Sequence, residues 1–135
     1  DRSGFDPAKV CDEILAKVGL SHVSEFMVGT LPTGTARLVE LARALASNPR
    51  VLLLDEPSSG LNEEETEEMA ALLKTFVEEG LAVLLVEHDM SLVMQVCETI
   101  HVLDFGRMIA SGSAESVRNN PTVINAYLGA PESVG

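Results

Sequence analysis

The sequence predicts an α/β fold: a parallel sheet with helical crossovers, helices ahead of it, and a β-hairpin with short helices behind. Three observations carry that prediction. "VLLLDE" (51–56) and "LAVLLVEH" (81–88) are continuous apolar runs closed by polar residues, the pattern of strands buried on both faces. Residues 62–80 between them keep helical spacing, which makes 51–88 a β-α-β unit with a right-handed connection. "IHVLD" and "RMIA" flank Phe105–Gly106, a tight hairpin turn.

In chain order, "DPAKVCDEILAKVGL" is a helix with Asp6 as N-cap, Pro7 at the first position and Gly19 as its stop. Val10, Ile14, Leu15 and Val18 form its apolar face. "SHVSEFMVGTLPTG" lacks periodicity and connects. "TARLVELARALASN" is helical again, with Leu38, Leu41, Ala42 and Leu45 on one side. After the first strand, Asn62 caps the long helix and Glu65 stands at the capping-box position. Met69, Leu72, Leu73, Phe76 and Val77 point inward, and Gly80 ends the helix. A short helix near "MSLVMQVC" precedes the hairpin. Two short helices broken at Pro121 and a loose tail close the chain.

The 135 residues suffice for one cored domain, and 46% hydrophobic content argues against disorder despite a net charge of -12. Residues 1–50 are neutral, so 51–135 supply the whole charge, with seven acids in 62–80. Such an acidic surface disfavours nucleic acid or anionic lipid as a direct partner, because phosphate binding needs clustered Lys and Arg. No apolar run approaches a membrane span, so direct membrane insertion is not expected. Cys11 and Cys97 read as two reduced thiols in a core.

The chemistry gathers at the carboxyl ends of the parallel strands, where such sheets bind ligands. Asp55 and Glu56 follow the first strand; Glu87 and His88 close the second. A strand-end aspartate can hold Mg²⁺ beside phosphates, and a following acid can polarise water as general base. An acid there is also an ordinary loop cap, and a lone histidine is often structural. The joint spacing says more: turn, helix, strand with Asp-Glu, Pro57, capped helix, strand, His.

With those residues in order, "LPTGTARLVELARALASNPRVLLLDEPSSGLN" and "VLLVEHDM" resemble the second half of an ABC-type ATPase domain, a P-loop NTPase fold. The resemblance implies a signature loop at Leu31, Pro32, Thr33, Gly34 and Thr35, contacting ATP across a dimer interface. It implies Asp55 as the Walker B aspartate for Mg²⁺, Glu56 as catalytic glutamate, Ser59, Gly60, Leu61 and Asn62 as D-loop, and His88 as the histidine at the γ-phosphate. Residues 1–48 would be a portion of the helical signature subdomain, 49–112 of the α/β core, and 113–135 C-terminal helices and tail. "GLNEEETEEM", "EHDMSLVMQVC" and "NNPTVINAYLGA" further resemble the ATPases of branched-chain amino acid importers. The implied cofactors are ATP and Mg²⁺. The implied partners are a second ATP-binding subunit, permease subunits and a solute-binding protein, with the protein peripheral on the cytoplasmic face of the membrane. Lipid or lipopolysaccharide exporters, non-transport ABC-type ATPases and a degenerate regulatory module share parts of this pattern.

The family loop usually reads Leu-Ser-Gly-Gly-Gln; here Pro32, Thr33 and Thr35 differ, and Asn62 replaces the usual D-loop Asp. "GTLPTGTA" mimics the glycine spacing of G-x-x-x-x-G-K-[ST] at Gly29 and Gly34. It has no lysine, follows no strong strand and lies too near Asp55 to be a P-loop. The first residues, "DRSGFDP", lack an initiating methionine and read as a piece of something longer, with Walker A expected upstream. The 135 residues alone are therefore expected not to turn over ATP.

Overall fold

The computed structural model describes residues 6–128, which fall into two compact units divided between Glu87 and His88. The expected tail, 129–135, lies outside the described residues.

The first unit begins with α1 (Pro7–Lys17), whose N-cap Asp6 accepts from Ala8 N at 3.0 Å. Val18 and Leu20 just beyond it are buried, while Val10, Ile14 and Leu15 are half-buried. Cys11 lies on the exposed side of α1, which corrects its reading as a core thiol: its position in the helix falls outside the apolar stripe. Two short 3₁₀ turns, Ser21–Val23 and Val28–Thr30, fill the connector. The second helix, α2 (Thr33–Leu45), starts two residues before the expected Thr35 and buries Leu41 and Ala42. Its cap is Pro32, which has no side-chain acceptor, so the usual sequence marker of a helix start is missing.

Strands β1 (Val51–Asp55) and β2 (Ala82–Val86) pair in parallel, Val51 with Ala82 through Asp55 with Val86. The helix between them, α3 (Glu63–Glu78), carries both halves of the capping box and buries Thr66, Met69, Ala70, Leu73 and Phe76. Each fully buried Leu or Phe contributes about 1.5–3 kcal/mol. Val77 is 38% exposed rather than inward, since the stripe runs through Ala70 and Leu73 instead. Lys17 ties α1 to the end of α3 by pairing with Glu79 and lying 5.2 Å from the Phe76 ring centroid.

Only one face of this sheet is covered. Leu52 is buried, but Val51, Leu53, Leu84 and Val86 are 55–69% exposed on the other face. The expectation of strands buried on both faces is thus corrected: among the described residues of this unit, no element lies over the second face.

The second unit opens with α4 (Met90–Val96), capped by Asp89, which accepts from Ser91 N and Leu92 N. A hairpin follows, β3 (Ile100–Asp104) and β4 (Arg107–Gly112), two residues longer at its end than the expected "RMIA". Asp104 pairs with Arg107 across Phe105 (φ 46°) and Gly106 (φ 74°), the two positive φ values of a type I′ turn. The register shifts between Val102 and Leu103. Ser113 caps α5 (Ala114–Arg118); Asn120 caps α6 (Pro121–Val123), which widens into a π-helical turn, Ile124–Leu128. Leu92, Ile100, Val102, Val117 and Val123 are buried. Cys97 is half-buried, and that burial pushes its thiol pKa up.

Candidate functional site

The parallel register brings the ends of β1 and β2 to one edge. Asp55 pairs with Val86, and Glu56 N donates to Val86 O at 2.8 Å, extending the ladder one residue past the strand. Glu56 has φ 47°, a left-handed conformation that is uncommon outside glycine and recurs at functional sites. Both side chains are exposed.

The turn after them is pinned. Ser59 N donates to Glu56 O and Leu61 N to Ser58 O, both at 3.0 Å. Ser58 is buried, and its N and Oγ donate to Glu87 Oε1 at 2.8 and 2.6 Å. Glu87 therefore fastens the end of β2 to the turn that follows β1, holding the Asp55–Glu56 corner from two sides.

The 31–35 segment meets the same turn. Thr33, Gly34 and Thr35 form the first turn of α2, where N–H groups point out of the helix end and the dipole is positive. Gly34 is buried, Leu31 and Thr35 are half-buried, and Pro32 and Thr33 are exposed. Arg37 Nε donates to Ser59 O at 3.3 Å. A Cβ built on Gly60, whose φ is 82°, would lie 3.1 Å from Thr33 Cγ2. A Cβ on Gly34 would lie 2.3 Å from Glu65 Oε1. Asn62 and Glu65 cap α3 reciprocally, each bond 2.9 Å long.

Beside this corner a cleft of about 230 Å³ is lined by Arg37, Glu40 and Asp55 over Leu53, Leu54 and Met69. Arg37 pairs with Glu40 at 2.9 Å. Among the described residues no three His, Cys, Asp or Glu side chains gather as a metal cage. An exposed strand-end carboxylate such as Asp55 suits Mg²⁺ instead, which takes one or two carboxylates and completes its shell with water and phosphate oxygens.

The structure thus brings Leu31–Thr35, Asp55, Glu56 and Ser59–Asn62 together in the first unit. His88, exposed, is the first residue of the second. Arg37, Ser58 and the second contact of Glu65 are additions that sequence reasoning missed. The capping-box spacing marks Glu65 only for α3; its approach to Gly34 is non-local.

A parallel β-α-β unit ending its first strand in Asp-Glu, with a helix N-terminus packed on the next turn, is the arrangement of an ATP-binding cassette. Comparison with known families agrees. The ABC transporter family model matches residues 6–59, and the branched-chain amino acid ATP-binding cassette transporter model matches residues 107–133. The chain belongs to the ABC transporter ATP-binding family. It is 45% identical over 116 residues to the high-affinity branched-chain amino acid transport ATP-binding protein BraF of Pseudomonas aeruginosa, covering 85% of this chain and 46% of that one. It is 35% identical over 118 residues to the lipopolysaccharide export system ATP-binding protein LptB of Haemophilus influenzae, covering 87% and 49%. The ADP conformation of MJ1267, an ATP-binding cassette of an ABC transporter, superposes with a TM-score of 0.84 at 27% identity, covering 94% of this chain and 52% of that one. The chain spans about half the length of these relatives.

Proposed function

We propose that the protein carrying this chain is the ATP-hydrolysing subunit of an ABC importer for branched-chain or related amino acids. The observation that carries the reading is the β1–β2 edge, where Asp55 and Glu56 stand exposed and adjacent with Glu56 held at φ 47° by its bond to Val86 O. Glu56 orients and deprotonates the attacking water. Asp55 holds Mg²⁺, which when bound neutralises charge on the phosphates. The first turn of α2, Thr33 to Thr35 with Leu31 and Pro32 leading in, offers amides and hydroxyls to the phosphates of ATP held by a second subunit. Ser59–Asn62 lies between the two, and His88 contacts the γ-phosphate oxygens. Permease subunits and a solute-binding protein complete the assembly at the cytoplasmic face of the membrane. Among the described residues no helix is long and apolar enough to cross it. The solute rests on the relatives' names: the 107–133 match and the higher identity to BraF favour amino acids over lipopolysaccharide.

In the full-length protein, Glu56→Gln should lower ATP turnover at least about a hundredfold and trap an ATP-bound dimer. A rate within about tenfold of wild type, roughly 1.4 kcal/mol of barrier, overturns Glu56 as base. The 135-residue chain alone, which contains no G-x-x-x-x-G-K-[ST] loop, should show no turnover. Reconstituted with its permease subunits, the protein should hydrolyse ATP faster when leucine and the solute-binding protein are present. Stimulation by lipopolysaccharide instead assigns it to export.

A further inference from the structure

The segments 33–37 and 59–65 lie against each other through three contacts, and the tightest involves a residue with no assigned part in the site. Asn62 N donates to Glu65 Oε2 at 2.9 Å, and Asn62 Oδ1 accepts from Glu65 N at 2.9 Å. That reciprocal cap removes the freedom of the Glu65 side chain. The pinned carboxylate then reaches across to α2. A Cβ on Gly34 would lie 2.3 Å from Glu65 Oε1 and 2.5 Å from Cδ, closer than non-bonded atoms come. Only glycine leaves room for the carboxylate at that place. Its negative charge also lies against the first turn of α2, where the helix dipole is positive. Gly34 is buried, whereas Pro32 and Thr33 just before it are exposed. The other two contacts, Arg37 Nε to Ser59 O and Thr33 Cγ2 against Gly60, join the same two segments.

We propose that Glu65 is a positioning residue: one carboxylate serves the N-termini of α2 and α3 together and presents 33–35 and 59–62 as one rigid surface. Its consequence for turnover rests on the proposed function, in which both segments face the nucleotide between subunits.

The test is a double-substitution cycle in the full-length protein, read by urea unfolding and by ATPase kinetics. Gly34→Ala forces the carboxylate out and breaks its bond to Asn62. The folding equilibrium constant should fall about twofold to tenfold, as for the loss of one hydrogen bond. In a Glu65→Ala background the side-chain bond to Asn62 N is already gone while the Asn62 cap on the residue-65 N–H remains, so Gly34→Ala should cost nothing and can raise the constant up to about fivefold, alanine being the better helix residue. An equal loss in both backgrounds overturns the contact. For turnover, Glu65→Ala should lower kcat at least about tenfold while KM for ATP stays within about threefold. Glu65→Gln, whose amide oxygen can accept the Asn62 bond, should restore kcat to within about threefold of wild type. A kcat that falls only with the folded fraction, or not at all, overturns the positioning role. A wild-type protein with no ATPase activity counts against the proposed function alone, because the unfolding cycle still decides the Gly34–Glu65 contact.

Discussion

Gly34 and Gly60 face each other's segments for different physical reasons, and the difference is measurable. Gly34 is excluded from carrying a side chain by a neighbour that can be removed. Gly60 is excluded by its own backbone, since φ 82° places it in the left-handed region. Gly60→Ala should therefore cost about 1–2 kcal/mol in urea unfolding, and should keep most of that cost when Thr33→Ser removes the facing methyl. A cost that vanishes with Thr33→Ser would show that crowding, not backbone strain, selects glycine there. Glu56 tolerates a similar backbone conformation with a full side chain, held by the ladder bond to Val86 O and the turn bond from Ser59 N. A carboxylate kept in an unfavourable conformation at a strand end is one aimed by its surroundings.

Among the elements, the hairpin carries a related strain. Phe105 is fully exposed at φ 46°, where a side chain of its size has a steric cost and buries nothing. Phe105→Asn makes the Asn-Gly pair that type I′ turns prefer and should raise stability by about 0.5–1 kcal/mol, seen as a higher urea midpoint. An unchanged or lower midpoint would mean that the ring stabilises the hairpin through contacts of its own. The hairpin was legible because its turn chemistry is local, as were α1 from Asp6, Pro7 and Gly19 and α3 from Asn62 and Glu65. The start of α2 was not, because Pro32 supplies no capping side chain and the helix begins without the usual marker. In the site, the strand-end acids were legible from the apolar runs before them. The Ser58–Glu87 and Gly34–Glu65 contacts were not, because each joins residues 29 or more positions apart by geometry that no spacing rule encodes.

For the molecule as a whole, the open face of the β1–β2 sheet governs behaviour in isolation. Continuous apolar runs such as "VLLLD" and "AVLLV" announce two buried faces, yet sequence cannot say which residues cover each one. Leu53 and Leu84 pair side by side on the bare face, with Val51 and Val86 near them. An apolar patch of that kind associates in water. The isolated 135-residue chain should therefore grow in apparent mass with concentration in light scattering, and Leu53→Lys with Leu84→Lys should hold it monomeric. Growth that persists in the double variant would place the sticky surface elsewhere.

The crowding at Gly34 has a consequence for how this protein can change over generations. Every single-base change that replaces a glycine yields a stop or a residue with a Cβ, and a Cβ at position 34 meets the carboxylate of Glu65 as it now stands. A replacement at position 34 therefore displaces that carboxylate and gives up its bond to Asn62 N, even before a ligand is considered. A lineage that had already lost the acid at 65 would not meet that cost, so the order in which substitutions arise at these two sites is itself biased.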